Sequence, residues 1–335
     1  MTRLGALRWV VRARDLPSAA LVAVALLVIA VSAGSLSRYQ LDVGFTLLTY
    51  LVLAQAWNIL GGYGGQVSLA VSGFVGVGMY TTTLVLEKSS SSMAVALLAS
   101  GVVGALAAAI FSFPLFRLRA AYFSVGTLAL TLAAQAAVVN WSYAGATQGI
   151  SVPFEDVPDQ TDLFLLALGL VAVTMAATWW VRRGGFGLRL MAVRDNEDAA
   201  GTLGVDAFRV KLVAFVLTSF LIGLAGGLLA LRQVSIEPGA SFGLSWTINA
   251  IVMAAVGGVG TILGPVFGVF IVYYGIQTQL ESNPELSSIL TGALLVLIVR
   301  FAPEGVWGLL ARSARRAFLR GTPETPPALD REVHA

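Results

Sequence analysis

The chain has 335 residues, of which 57% are hydrophobic and only 12% charged, with a net charge of +3 and a mean hydropathy of +0.83. Soluble globular domains carry about 25% charged residues, so a water-soluble domain organisation is excluded over this length. There is no cysteine, and the one histidine, His334, sits next to the C-terminus, which removes disulfides, thiol nucleophiles and histidine-ligated metal sites.

Arg3, Arg8, Arg12 and Arg14 open the chain ahead of an apolar run. Ser32, Ala33 and Gly34 resemble a leader cleavage site. The run exceeds a usual signal core and further spans follow, so it is read as a retained first helix behind a basic segment, 1–16. A bilayer needs roughly 20 apolar residues as a helix. Apolar runs between breakers place spans at 17–34, 42–60, 66–86, 93–113, 120–140, 163–181, 211–231, 246–262, 265–280 and 286–301. The fold class expected is an all-α membrane protein, a polytopic bundle of about ten transmembrane helices over 17–303. A cytoplasmic tail follows, 304–335, whose last part is rich in Pro, Thr and charge and is expected to be disordered.

Basic residues test that count, because they accumulate on the cytoplasmic side. With the N-terminus inside and the spans alternating, 18 of the 21 basic residues fall inside and only Arg38, Lys88 and Arg232 outside. Both termini are then cytoplasmic. Eight spans with re-entrant segments keep the same parity.

The largest cytoplasmic insertion is 182–211. Its stretch from Glu197 to Leu203 has helix-forming composition, Asp195 or Asn196 can cap it, and Gly204 ends it. A short helix along the membrane surface and a solvated loop both fit.

No phosphate-binding G-x-x-x-x-G-K-[ST] loop occurs, and no ionisable residue falls in mid-span. Proton-coupled carriers usually place such a group in the membrane. The chain therefore reads as a conduit without its own motor. A stand-alone secondary carrier or channel for small polar solutes is the alternative, since sodium coupling can use carbonyls and hydroxyls. Uncharged polar residues interrupt the spans: Asn58, Gln66, Ser68, and Thr127, Thr131 and Gln135, which step by four along one helical face. They fit a solute path or interhelical hydrogen bonding. Two glycine clusters, including Gly64 and Gly65, then Gly257, Gly258 and Gly260, fit broken-helix gates or tight turns.

Several blocks carry a family likeness. Ala56-Trp57-Asn58-Ile59-Leu60-Gly61-Gly62-Tyr63-Gly64-Gly65-Gln66-Val67-Ser68-Leu69 resembles the "AWNLL-GYAGQLSLG" signature of LivM-type permeases of branched-chain amino-acid ABC transporters. In family order follow Leu118-Arg119-Ala120-Ala121-Tyr122-Phe123, Thr147-Gln148-Gly149-Ile150, the Ala192-to-Ala200 block ending at Leu203-Gly204-Val205, and Gly257-to-Pro265. Val71, Gln148 and Leu188 depart from the pattern.

The resemblance implies a bundle similar to vitamin B12 and iron-siderophore importer permeases, in a bacterial inner membrane. It implies a second permease subunit, two cytoplasmic ATP-binding subunits and an external solute-binding protein as partners, with membrane lipid around the chain and no nucleic acid. No cofactor is then bound by this chain; ATP and Mg belong to the partners. Arg194, Glu197, Ala199, Ala200 and Gly204 match the element that couples to the ATPase, with the alanines seated in its groove and Arg194 and Glu197 pairing at the rim.

Overall fold

The computed structural model describes residues 30, 33–89, 92–118, 120–153, 155, 157–301 and 305–309. The arginine-rich N-terminus, nearly all of the 17–34 span and the tail beyond 309 lie outside the described residues.

Helix α1 (Arg38–Trp57) starts at a capping box. Ser37 Oγ accepts from the Gln40 amide at 3.3 Å, and Gln40 Oε1 accepts from the Ser37 N–H at 2.9 Å. It continues without a break into a π-helical turn, Asn58–Tyr63. Residues 65–70 are unwound. Then come α2 (Val71–Ser89), α3 (Met93–Leu115) and α4 (Ala120–Val139). A long connection holding β1 (Ile150–Ser151) leads to α5 (Gln160–Arg183). Two short helices, α6 (Gly185–Asp195) and α7 (Glu197–Thr202), precede α8 (Ala207–Gln233). After β2 (Ser235–Ile236) and the single turn α9 (Pro238–Ser241) come α10 (Ser245–Gly257) and α11 (Gly264–Val269). The latter runs into a second π-helical stretch, Phe270–Gln277, before α12 (Pro284–Phe301).

Among the described residues six helices are long and apolar enough to cross a membrane, against the ten expected of the whole chain: Arg38–Tyr63, Met93–Leu115, Ala121–Val139, Gln160–Arg183, Ala207–Gln233 and Pro238–Gly257. Gly264–Gln277 and Glu285–Ile298 are apolar but shorter. The helix at the expected 66–86 span, α2, is long enough and too polar. The reason is its position: most of its residues are buried, including Ser72, Thr82 and Thr83, so protein and not lipid is its solvent. Hydropathy registers lipid contact, and a helix at the centre of a bundle does not need it.

The centre is α8, which packs chiefly on α3 and α2 and also on α1 and α5. Glycines permit backbone-to-backbone approach. A Cβ at Gly78 would fall on the Gly223 carbonyl, one at Gly226 on the Val75 carbonyl, and one at Gly223 would lie 2.6 Å from the Ser100 oxygen. Membrane helices associate through such small-residue contacts because lipid supplies no hydrophobic drive between them. Outside this core, α3 and α4 turn Leu98, Leu106, Ile110, Val125 and Leu132 outward, as a hydrocarbon surround requires.

The two ends of the bundle differ. At one, α6 and α7 project between α5 and α8. At the other, 27 residues along α8, β1 pairs antiparallel with β2 through Ile150–Ile236 and Ser151–Ser235. There Arg232 grips Asp42 with two bonds of 2.8 Å, Nε to Oδ1 and Nη2 to Oδ2, joining the end of α8 to the start of α1.

Candidate functional site

The 182–211 insertion is helical almost throughout, although glycines at its start suggest a loop. Gly187 is needed where α6 turns back on α5, since a Cβ there would strike the Val181 carbonyl. Asn196 caps α7, its side-chain oxygen accepting from the Ala199 amide at 3.0 Å. Glu197 and Asp198 in the first turn favour the helix dipole. Gly204, at φ +81, ends it in a left-handed turn, and the Val205 amide closes on the Ala200 carbonyl at 3.0 Å. Of the two readings, the structure gives the short helix.

Its residues face different ways. Ala199 is exposed, and Ala200 is buried within the chain. Glu197 is bound at 2.5 Å by Lys211, whose side chain is nearly buried in the first turn of α8. Leu203 is 83% exposed, the most exposed large apolar residue described. Residue types alone missed it; the signal was one leucine at the end of a polar, alanine-rich turn.

Arg194, on the last turn of α6, bonds to Asp195 and also sends Nη1 to the Gly62 carbonyl at 3.0 Å. That carbonyl belongs to the π-helical turn ending α1. One turn earlier Asn58, fully buried, accepts from the Gly260 amide at 2.7 Å and donates to the Thr261 carbonyl at 2.8 Å. A Cβ on Gly62 would land on both Asn58 Oδ1 and the Gly260 amide, and one on Gly65 would meet Arg194 Cγ. Gly260 holds φ +76. The two glycine clusters, 202 residues apart at Asn58 and Gly260, thus meet in one joint with α6. Gly64 lies under Leu190, Gly258 ends α10, and Gly257 packs on the Gly264 carbonyl where α10 turns into α11.

The unwound stretch 65–70 folds back along α1, so that the Ser68 carbonyl accepts from Trp57 Nε1 at 3.0 Å. Trp57 is six residues before Tyr63, about 9 Å into the bundle at 1.5 Å per residue. Backbone polar groups at that depth need partners within the protein. Side chains supply them. Thr127 Oγ1 accepts from the Leu69 amide at 2.9 Å, Ser124 Oγ donates to the Val67 carbonyl at 2.6 Å, and Thr247 Oγ1 accepts from the Ser72 amide at 2.9 Å. Gln66, half-buried, closes its amide on the Leu60 carbonyl at 3.1 Å. Thr131 is buried against Gly73, its hydroxyl donating back to the Thr127 carbonyl, and Gln135 is half-buried one turn on. In this conformation Ser68, Thr127 and Thr131 have their hydrogen bonds within the protein. Among the described residues no group of three His, Cys, Asp or Glu side chains is placed to hold a metal.

An apolar bundle interrupted at depth by an unwound segment, with a surface helix wired into that interruption, defines a multi-pass membrane transport protein. Residues 40–299 match the family described as branched-chain amino acid transport system, permease component, and the chain belongs to that family. It is similar to the high-affinity branched-chain amino acid transport system permease protein LivM of Salmonella typhimurium, 27% identical over 84% of this chain and 73% of that protein. The LivM protein of Escherichia coli K12 is 27% identical over the same shares. The L-arabinose ABC transporter permease protein AraH of Azospirillum brasilense is 34% identical over 36% of this chain and 38% of its own length. No solved structure matches the chain significantly.

Proposed function

We propose that this chain is the membrane-spanning permease subunit of an ATP-driven importer for branched-chain amino acids or related small solutes, working by alternating access. The observation that carries the mechanism is the joint at Gly62, where Arg194 connects α6 and α7 to the π-helical end of α1. The chain itself is the conduit; two ATP-binding subunits hydrolyse ATP, with Mg, at the α6–α7 end, which we place in the cytoplasm. A second permease subunit completes the path, and an external solute-binding protein docks at the β1–β2 end. Residues 1–16 and 304–335 are cytoplasmic, and the 17–34 span, together with α2 and the two shorter helices, brings the bundle to the ten helices of the vitamin B12 and iron-siderophore type.

Leu203 is the knob that enters a groove on the ATPase, with Ala199 beside it and Gly204 fixing the turn that presents it. When the ATPases close, α7 moves with α6 as a body, because the two short helices share Asn196, which ends one and caps the other, while the Glu197–Lys211 pair hinges α7 on the start of α8. Arg194 passes that displacement to the Gly62 carbonyl, and Asn58 passes it on to 260–261.

The test is reconstitution in proteoliposomes with and without the ATP-binding subunits. Leucine uptake is expected only with those subunits, the loaded binding protein and ATP. Uptake by the chain alone would replace this reading with that of a stand-alone carrier.

A further inference from the structure

We propose that Tyr50, Trp246, Asn249, Tyr273 and Gln277 form a solute-contact station halfway along the transport path, taking a free α-amino acid by its side chain and its backbone amine and carboxylate; this rests on the importer reading above. Tyr50 lies 12 residues from Arg38 and 13 from Tyr63, about 18 Å from each end of its span. That is mid-membrane.

The five side chains meet there from three elements. Asn249 on α10 donates to the Tyr50 hydroxyl at 3.3 Å and accepts from Gln277 at 3.0 Å. The Tyr50 ring stands 5.7 Å from Trp246 and 5.5 Å from Tyr273. Tyr273 and Gln277 come from the π-helical stretch, a distortion that re-aims side chains and concentrates at functional sites. All five are half-buried and not sealed. Each carboxamide has two donors and a doubly accepting oxygen, so these bonds leave capacity unspent. An open carboxamide at mid-membrane depth cannot face hydrocarbon. Polar side chains at that depth line a water-filled path or pack on protein; with all five open at the surface of the described chain, we place the path here.

The path has an external mouth. Asp42, Thr46 and Tyr50 step by four along one face of α1, Thr46 faces Tyr273, and the stripe begins at the Asp42–Arg232 pair beside the β ladder. The station's chemistry suits a zwitterion with an aliphatic side chain. Ring faces receive the side chain and the ammonium, and the carboxamides offer N–H to the carboxylate. No ionised group lies among the five, so the contacts are neutral and weak. Conduction needs that, since a tight site would retain its cargo.

The chain lacks cysteine, which makes single-cysteine labelling direct. The assembled transporter, with its ATP-binding subunits and binding protein in proteoliposomes, carries Asn249→Cys, Tyr273→Cys or, as an outward-facing control on α10, Ile248→Cys. A membrane-impermeant thiol reagent is expected to modify positions 249 and 273 and spare 248, with L-leucine slowing the first two. Equal inertness at 249 and 248, or labelling that leucine leaves unchanged, overturns the station. Independently, Asn249→Leu is expected to lower leucine moved per ATP about fivefold, what one neutral hydrogen bond is worth, with binding-protein-stimulated ATP hydrolysis retained. An unchanged ratio also overturns it. If the unmodified complex moves no leucine with ATP, the importer reading fails instead, which is a separate result.

Discussion

Asn58 is the residue on which the joint turns. Its two side-chain atoms serve two backbone groups of a segment more than 200 residues away, Gly260 N–H and Thr261 C=O. Asn58→Ala leaves both half-buried groups without these partners, at about 1 kcal/mol each, the low end of the range for a buried group. Thermal unfolding in detergent is expected to drop by several degrees, and uptake to fall further than stability explains, because the link between α1 and the 258–263 turn is lost. Uptake at the native level would remove Asn58 from the mechanism. Arg194→Lys tests the neighbouring bond differently. A lysine keeps the charge but not the planar fork that bonds Asp195 and reaches the Gly62 carbonyl together, so ATP hydrolysis is expected to persist with uptake reduced about tenfold, the scale of one charge-assisted bond. These residues were legible as polar or charged interruptions near glycines. Their partnership was not, since no local spacing relates Asn58 to Gly260 or Arg194 to Gly62.

At the scale of elements, α7 separates two roles that its sequence ran together. Ala199 and Ala200 look equivalent as small residues, yet Ala200 is buried and Ala199 is not. Ala200→Leu is therefore expected to destabilise the chain by overpacking, about 1–3 kcal/mol. Leu203→Asp, on the open side, is expected to leave the melting temperature unchanged and abolish capture of the ATP-binding subunits in a pull-down from detergent. If Leu203→Asp co-purifies with those subunits normally, the docking role given to it is wrong. Cap, acidic first turn and terminating glycine were all readable for α7, because capping is a local matter. Helix α6 was obscured by Gly184, Gly185 and Gly187. Gly184 and Gly187 answer to close approach at the end of α5, against the Trp180 and Val181 carbonyls, and propensity does not register that; no such contact explains Gly185. Apolar runs located most of the helices, α2 among them at 66–86, while the burial of α2 at the centre of the bundle rests on packing that its composition does not advertise.

For the molecule as a whole, α1 is fastened at both ends, by Arg194 and Asn58 at one and by Arg232 on Asp42 at the other. A helix held at both ends transmits a push. The Asp42–Arg232 pair is partly solvated, with side-chain exposures of 42% and 31%, and such a pair is worth about 1 kcal/mol or less to folding. Its bidentate geometry joins α1 to α8 at the end where the β ladder also ties the 140–159 connection to the residues after α8. Cutting it should cost little stability and much coordination. Arg232→Met with Asp42→Asn, which leaves no unpaired charge, is expected to fold and assemble with its partners. Its ATP hydrolysis should run without the loaded binding protein, raised about fivefold over the native unstimulated rate, the equivalent of 1 kcal/mol released from the resting state. Leucine moved per ATP should fall in proportion. Measuring both rates in one proteoliposome preparation distinguishes a broken brace from general damage, which lowers hydrolysis and uptake together. A double variant that kept its low resting hydrolysis would mean that α1 is driven from the α6–α7 end alone.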